Sequence, residues 1–429
     1  MLEAPDRAFP ACPADPTDPR TLRGAALAQA LRDSRARTWA LVDDLTDAQW
    51  QVPEQRGVNP IAWELGHLAW FAEFWILRGP HTRDADGLAV ASQPPRHAGP
   101  DTRFDSSRLA HEARWRTVMP SRAELGYMLG AQLDACVAAL PAVADDTNDD
   151  TNDDTKDNAN DAANQGRGDD ALYFHRLALF HEDMHGEAFT WLRAALGLPA
   201  PAGCVLRSVP SAEPLRVAGG EVHIGMPSSR AGFAFDNEQA ARALTLADFE
   251  IDAAPLTAGA FLRFVEAGGY DDAAYWPGAA GAWRAASKLS HPQRWRHDPV
   301  SGWQTRWFDR WLPLALDGPV IHVNAFEAEA YCLWARRRLP SAAEWEHAAP
   351  TMQWGASVWE WTADAFRPYP GFAPGPYREY STPWFFDHRE LRGGAFATSA
   401  RMHDRRYRNF FEPHRSDVFA GFRTAALRP

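Results

Sequence analysis

Two histidines on a strongly helical stretch, His181 and His185, have the residue type and spacing that metal chemistry needs. Side chains four positions apart project from one face of an α-helix, about one turn apart. That spacing suits two ligands of one metal ion, and the segment HEDMH resembles the HExxH signature of zinc proteases. A third histidine, His67, lies on a second helical pattern, WELGHLAWFAEFW. Three imidazoles converging from two helices would leave up to three coordination positions open, and imidazole suits iron, zinc, copper or nickel.

An incidental origin of this pattern is the alternative, because the chain contains 15 histidines. A histidine pair at this spacing is often part of an ordinary helix face, so the spacing leaves both interpretations open. His175 lies six residues before His181, points elsewhere on the helix and is interpreted as structural. Glu187 is a candidate acceptor that would fix the tautomer of a ligating histidine.

Helices must position these histidines in the first half of the chain. Residues 21–198 contain four long helical patterns, and the last of them ends before Gly197. Four long helices predict a four-helix bundle. Residues 1–20 are rich in Pro and Asp and are predicted to be a disordered lead-in.

An acidic, low-complexity segment interrupts the predicted bundle. Residues 145–170 contain ten aspartates against one lysine and one arginine, a net charge of −8, and TNDD is repeated in tandem. The segment has almost no apolar side chains to bury, so we predict a disordered loop there, with helix resuming at Asp170. The rest of the chain accounts for only −4 of its net charge of −12.

The overall composition indicates an ordinary globular protein. It is 45% hydrophobic and 12% aromatic, and its negative charge argues against nucleic acid or an anionic membrane as partner. No apolar run approaches the roughly 18 residues of a membrane span, and no signal peptide is evident. The four cysteines are scattered without CxxC spacing, which favours a reducing cytoplasm. We therefore expect a soluble cytoplasmic protein.

The second half of the chain has a different texture. From residue 205 to 429, short apolar runs alternate with Gly, Pro and Trp, as in GGEVHIGMP, PVIHVNAF and ELRGGAFA. A few helical patterns interrupt them. This texture predicts a loop-rich α+β domain, separated from the bundle by a linker near residues 199–210.

Motifs in both halves resemble one known family. NPIAWELGHLAWFAEFW and HEDMHGE resemble the DinB-like bundle of the hercynine sulfoxide synthases of ergothioneine biosynthesis, which has an H…HxxxH iron site. RLPSAAEWEHAA, WGASVWEWTAD, LRGGAFA and YRNFFEPHRSDVFAGFRTA resemble the second half of those enzymes. That half is a formylglycine-generating-enzyme-like, sulfatase-modifying-factor domain with a C-type-lectin-like fold. The pairing is specific, because either half alone occurs with many functions.

The resemblance implies O2-dependent formation of a carbon–chalcogen bond at C2 of the hercynine imidazole. It implies mononuclear non-haem Fe(II) held by His67, His181 and His185. Three open positions would serve the thiolate or selenolate, the hercynine imidazole and O2.

The resemblance also assigns roles in the second half. Tyr377 and Tyr380 match a tyrosine-rich loop that supplies an acid, and a phenol is a suitable proton or hydrogen-atom donor. The alternative for both is a packed surface loop. Asn409 matches a residue that binds the hercynine end, and Phe410 and Phe411 follow it. Aromatic faces that would hold a trimethylammonium group, and arginines that would either pair with the substrate carboxylate or brace the fold, complete the candidates: Trp359, Trp361, Trp384, Phe410, Arg408 and Arg423. For Trp359 and Trp361 we favour a structural role.

Two departures from the family pattern bear on the chalcogen donor. Met184 stands where ergothioneine enzymes often carry a glutamine, and Phe411 stands where γ-glutamylcysteine-using members carry an aspartate. Without that carboxylate, the amine of γ-glutamylcysteine loses a partner. FDSSRLAHEARW and HEDMH look closer to the selenoneine synthases, which take a selenosugar. We therefore expect a selenosugar donor such as selenoglucose, with cysteine or γ-glutamylcysteine as the alternative.

Two other classes of function are alternatives to this one. A formylglycine-generating enzyme needs a cysteine pair after the RGG motif, and this chain has no cysteine there. A non-catalytic ligand-binding module is the other alternative, but three histidines aimed at one point would then be superfluous.

Overall fold

A computed structural model of the chain describes residues 18–141, 158–227, 232–355 and 357–428, with the backbone alone for 158–170. These residues divide into two compact units. The first comprises the described residues up to His185, with described parts of Met226–Phe235 and with Gly375–Tyr377. The second comprises Gly186–Gly225, Asp236–Pro374 and the residues from Arg378 onward. The linker near 199–210 stays a prediction.

The first unit is helical. Its α-helices, of which α6 continues into the second unit, are α1 (Gly24–Ala40), α2 (Asp47–Trp50), α3 (Ile61–Leu77), α4 (Asp101–Phe104), α5 (Arg122–Ala138) and α6 (Asn158–Leu196). A small hairpin is formed by β1 (His81–Arg83) and β2 (Ala89–Ala91). Apolar side chains of the four long helices form its core: Leu27, Leu31, Ala72, Cys136, Ala178 and Leu179.

Helix α3 is the central helix of this unit. Fourteen of its seventeen residues are buried, which is the pattern of a helix surrounded by protein on all sides. Helix α5 begins with a capping box in which Ser121 and Glu124 satisfy each other's backbone N–H groups. Helix α6 ends at Leu196, before Gly197 at φ +66°, as expected of a glycine that terminates a helix.

Two segments predicted to be disordered are ordered in part. Helix α6 begins at Asn158, so the predicted loop 145–170 is helical from 158 onward, and its earlier part lies outside the described residues. Adding a residue to an existing helix costs little, because nucleation has already been achieved. At the predicted lead-in 1–20, residues 1–17 lie outside the description, but Arg20 is buried and donates to the Phe233 carbonyl.

The second unit combines short helices with small sheets. Its helices, besides the end of α6, are α7 (Ala258–Glu266), α8 (Ala279–Ser287), α9 (Ala325–Ala335) and α10 (Ala342–Ala348). Its strands are β3 (Leu215–Val217), β4 (Gly220–Ile224), β5 (Arg242–Leu246), β6 (Phe249–Ile251), β7 (Trp295–Asp298), β8 (Gly302–Trp307), β9 (Arg310–Pro313), β10 (Arg337–Arg338), β11 (Trp359–Ala365), β12 (Arg389–Gly393), β13 (Asn409–Phe411), β14 (Ala420–Gly421) and β15 (Ala425–Ala426). This mixture confirms the prediction of helices followed by an α+β part.

The strands of the second unit form four sheets. The strand orders are β10-β15-β6-β3, β13-β12-β11-β14, β4-β5 and β7-β8-β9. In the second sheet β11 pairs antiparallel with β12 and parallel with β14, so β13 lies at one edge. The core against the first sheet consists of Phe249, Ile251, Trp345, Ala348, Ala349 and Met352.

Candidate metal centre

The three predicted histidines converge in the first unit. One ring nitrogen from each of His67, His181 and His185 lies within 4.8 Å of the other two. The ring centroids are 5.1 Å apart from His67 to each partner and 4.5 Å apart between His181 and His185. Helix periodicity places His181 and His185 on one face of α6, and the buried helix α3 brings His67 opposite those two residues. The distances between the ligand nitrogens are short enough for all three histidines to bind one metal ion.

A backbone carbonyl sets the orientation of His67. Its Nδ1 lies 2.7 Å from the Phe104 carbonyl oxygen at the end of α4. Because a carbonyl only accepts, Nδ1 carries the proton and donates, which leaves the Nε2 lone pair for a ligand.

A carboxylate sets the orientation of His185 in the same way. The Nδ1 of His185 lies 2.7 Å from Oε1 of Glu64, whose side chain is only 3% exposed. A ligating histidine typically donates its other N–H to such an acceptor, which fixes the ring and strengthens it as a ligand. Sequence reasoning missed Glu64 and expected Glu187 in this role. The signal was available, since Glu64 precedes His67 by three residues and shares its helix face.

Aromatic rings surround the cluster and bury His67 and His181. The Phe71 ring is stacked on His181 at 3.6 Å and 5°, and the Trp63 ring is stacked on His67 at 5.0 Å and 9°. Burial, together with the neighbouring His185, holds the pKa values of His67 and His181 well below the ordinary histidine value. Neutral imidazoles are the form that binds metal. The residues present therefore fit a metal ion with nitrogen ligands.

Tyr377 is the predicted catalytic residue that the structure brings to this cluster. Its ring centroid lies 6.1 Å from that of His181, 4.9 Å from that of Phe71 and 6.1 Å from that of Trp75. All of these residues belong to the first unit. The catalytic role of Tyr377 stays a prediction.

Tyr380 belongs to the second unit. Its hydroxyl lies 3.1 Å from that of Tyr407, and its ring meets Phe410 edge to face. Burial and the neighbouring Tyr407 raise the pKa of Tyr380 well above the ordinary tyrosine value, so its phenol is protonated at neutral pH.

The Asn409–Phe411 segment is an edge strand of the second unit. The Asn409 Oδ1 accepts the backbone N–H of Phe410 at 2.9 Å. The Phe410 ring is stacked on Phe366 at 4.1 Å, and the Phe411 ring meets Trp191 edge to face at 5.7 Å. These aromatic contacts make the position of Phe411 apolar.

The other predicted binding residues divide into exposed and buried groups. Trp384 is 41% exposed and donates its indole N–H to the Glu379 carbonyl. Arg408 is buried, donates to the Glu390 carboxylate and also donates to the carbonyls of Asn237 and Arg367. These contacts favour the bracing alternative for Arg408.

The remaining candidates have structural contacts. Arg423 pairs with Glu360, as Arg408 pairs with Glu390. Trp361 is buried and donates to the Val323 carbonyl.

Glu187 holds parts of the second unit together. Its carboxylate accepts from the Trp359 indole at 2.7 Å and from the Thr398 hydroxyl at 2.6 Å. In the first unit, the Nε2 of His175 donates to the Cys136 carbonyl, because a carbonyl oxygen only accepts. His175 is thus occupied structurally, as predicted.

Comparisons with known proteins match both parts of the chain. Residues 30–189 match the DinB superfamily, and residues 206–357 and 351–427 match the sulfatase-modifying factor enzyme 1-like domain. The chain is therefore a DinB-like helical domain followed by a sulfatase-modifying-factor domain, and its first part carries the three-histidine cluster.

Whole-length relatives join the same two parts. The chain is 30% identical to the hercynine oxygenase of Mycobacterium tuberculosis, over 93% of this chain and 98% of that one. It is 29% identical to the hercynine oxygenase of Mycolicibacterium smegmatis, again over 93% and 98%. The chain belongs to the hercynine oxygenase family.

A second group of relatives covers a smaller share of the chain. The formylglycine-generating enzyme of Streptomyces coelicolor is 28% identical over 39% of this chain and 62% of that one. The segment of this chain from Arg392 to Phe411 contains no cysteine, which is the chemical difference noted above. Among the described residues, no helix is both long enough and apolar enough to cross a bilayer.

Proposed function

We propose that this protein is a mononuclear non-haem iron, O2-dependent oxidoreductase that acts on hercynine. It forms a carbon–chalcogen bond at C2 of the hercynine imidazole, with a selenosugar such as selenoglucose as donor. The observation that carries this proposal is the cluster of His67, His181 and His185, whose ligand atoms lie within 4.8 Å of one another. Family membership with hercynine oxygenases supports the substrate.

The donor set suits iron. Three neutral imidazoles contribute no negative charge and leave further coordination positions for substrates. A bound ferrous ion supplies electrons for O2 reduction and a template on which the substrates meet. The ligands' outer nitrogens are already committed, that of His67 to the Phe104 carbonyl and that of His185 to Glu64.

Protein groups around the cluster control water and protons. Trp63 and Phe71 are buried against the ligand rings and exclude water from that side. The Tyr377 ring stands edge-on to both Phe71 and His181, where its phenol serves as the proton or hydrogen-atom donor. The family resemblance supports Tyr380 as a second catalytic residue beside Tyr377, and Asn409 and Phe410 as substrate-binding residues.

The proposal of a selenosugar rests on residue 411. Phe411 packs against Trp191 and the Arg415 guanidinium, and it offers no carboxylate for the amine of γ-glutamylcysteine. A polar sugar does not need that carboxylate. Met184 likewise offers no strong hydrogen-bond donor to the hercynine imidazole.

Iron binding tests the metal centre directly. The protein is purified anaerobically, and its iron is quantified for the parent, for His67→Ala and for His175→Ala. The last variant is a matched control, because His175 is a buried histidine of the same unit that lies outside the cluster. We expect stoichiometric iron in the parent and the control and loss of iron in His67→Ala. Equal iron in all three, or none in the parent, would refute the enzyme and leave the ligand-binding module.

Product analysis tests the donor. The iron-loaded protein is incubated with hercynine, O2 and an equimolar mixture of selenoglucose, cysteine and γ-glutamylcysteine. We expect mass spectrometry to detect the selenium conjugate. Exclusive formation of sulfoxide conjugates would instead establish the ergothioneine reaction.

Two further parts of the proposal concern the fold of the second part of the chain and the location of the protein in the cell. We propose a C-type-lectin-like fold for the second part of the chain and a cytoplasmic location. The match to the sulfatase-modifying-factor domain supports the first. The second is supported by the cysteine pattern, because the four cysteines are scattered along the sequence without CxxC spacing, as expected of a reducing compartment.

A further inference from the structure

Helix α3 carries a glycine in its interior, directly before the ligand His67. A Cβ atom at Gly66 would lie 2.1 Å from Cε1 and 2.4 Å from Cζ of Phe104. Those distances are far inside van der Waals contact, so the Phe104 ring occupies the space that a side chain at position 66 would need. Glycine is unfavourable within a helix, so its presence in the interior of α3 calls for a reason. The close approach of the Phe104 ring is that reason.

The segment that approaches Gly66 also hydrogen-bonds along one face of α3. These contacts are Trp63 Nε1 to the Arg103 carbonyl at 2.9 Å, His67 Nδ1 to the Phe104 carbonyl at 2.7 Å, Trp70 Nε1 to Asp101 Oδ1 at 2.7 Å, and two bonds from Arg78 to Asp101. Residues 63, 67, 70 and 78 recur near the period of the helix. Helix α4 is therefore fixed at several points along α3, and the Phe104 ring occupies the middle of that contact.

We propose that helix α4, seated over Gly66, is a positioning element that fixes the tautomer of His67. A neutral imidazole can carry its proton on either nitrogen, but only the form protonated at Nδ1 presents Nε2 as a ligand. The Phe104 carbonyl can bond only that form, and the glycine lets the carbonyl come within 2.7 Å. Gly66 and Asp101 are thus positioning residues. They act on the proposed ligand His67 by way of Phe104 and are not ligands themselves.

This inference rests on the proposed metal centre, but its first consequence does not require a metal. In the metal-free protein the tautomer of His67 is already determined by the carbonyl. A merely structural role for Gly66 would change the stability of the protein without moving the proton between ring nitrogens. The tautomer is therefore the measurement that separates positioning from packing.

The main test compares two glycine-to-alanine variants in helices of equal length. Gly66→Ala forces Phe104 away from α3. Gly130→Ala is the matched control, since Gly130 lies within the 17-residue α5 and has nothing within 4 Å of its Cβ position. Long-range ¹H–¹⁵N NMR of the metal-free protein reports the tautomer of His67. Anaerobic calorimetric titration with Co(II) alone reports metal affinity.

We expect the parent and Gly130→Ala to hold His67 protonated at Nδ1 and to bind Co(II) equally. In Gly66→Ala we expect a mixture of tautomers and Co(II) affinity lower by about 10- to 100-fold, the usual effect of losing an outer hydrogen bond to a ligand. Asp101→Asn is the milder second variant, because it removes the ion pair with Arg78 and leaves the buried Phe104 ring intact. It should shift the tautomer and the affinity in the same direction.

The outcomes separate the two proposals. A parent that binds no Co(II) would overturn the metal centre and, with it, the positioning role. A parent that binds Co(II), with variants that keep both its affinity and its tautomer, would overturn the positioning role alone. If Gly66→Ala does not fold, Asp101→Asn decides the question by the same two measurements.

Discussion

The carboxylate of Glu64 provides the sharpest test of how this protein prepares a metal ligand. Two variants separate charge from hydrogen bonding. Glu64→Gln keeps an oxygen acceptor for His185 Nδ1 and removes the charge, whereas Glu64→Ala removes both. The acceptor distance is 2.7 Å, and the Glu64 side chain is 3% exposed, so water does not readily replace it.

The expected magnitude follows from the type of contact. Loss of an outer-sphere acceptor for a ligating histidine typically costs about 10- to 100-fold in metal affinity, which is roughly 1.4–2.7 kcal/mol. We place Glu64→Gln near the lower figure, because its amide oxygen still accepts from Nδ1. We place Glu64→Ala near the upper figure, because it leaves a largely buried N–H without a partner.

The assay is an anaerobic competition between the protein and a chelator for Fe(II), with Glu73→Gln as control. Glu73 is a second buried glutamate on α3, and its carboxylate accepts the backbone N–H groups of residues 96, 97 and 98 at 2.8, 2.7 and 3.2 Å. The control therefore repeats the chemical change in the same helix away from the histidines. We expect Glu73→Gln to lower stability and to leave Fe(II) affinity unchanged. Affinities within twofold of the parent for both Glu64 variants would refute the reasoning.

Three more predictions concern the proton donor, the bundle and the pH dependence of stability. Tyr377→Phe should lower turnover by about 10²–10⁴-fold with unchanged Fe(II) affinity, and parental turnover in that variant would exclude the phenol as donor. Arg35→Met should lower the unfolding free energy by about 3–5 kcal/mol, because it leaves Glu182 buried without its 2.6 Å partner, and a loss below about 1 kcal/mol in urea titration would contradict this. Burial raises the pKa of Glu327, which is bonded to Tyr270, to about 7, so the folded state binds the proton more tightly and stability falls as pH rises from 4.5 to 7. Glu327→Gln should remove roughly 3 kcal/mol of that pH dependence. The result would be contradicted if denaturant titrations gave a free energy of unfolding that changes equally with pH in both proteins.

Local periodicity explains what could be predicted about the site. The spacing of His181 and His185 places both on one face of α6 wherever that helix lies, because 3.6 residues make a turn. The end of α6 at Leu196 follows equally locally from Gly197. The start of the helix at Asn158 was not predictable from composition, since polar residues extend a helix that a packed segment has already nucleated.

Partners distant in sequence were decided only by tertiary structure. His185 and Glu64 are 121 residues apart, and His67 and the Phe104 carbonyl are 37 apart. No pattern along the chain specifies such pairs, because they depend on how helices pack and on which backbone carbonyl is left to accept. The same reason accounts for Arg408, whose sequence context allowed a substrate contact but whose guanidinium is bonded to Glu390 and to backbone carbonyls.

The sequence by itself therefore determined the residue types available for metal chemistry, the two-part organisation and the absence of the cysteines that formylglycine formation needs. Tertiary structure decided which nitrogen of His67 and of His185 is left for a metal, that Glu64 is the acceptor for His185, and that Tyr377 lies beside His181. Residue identity and helical period are properties of the chain itself. The orientation of an imidazole depends on acceptors that only the folded chain brings within hydrogen-bond distance.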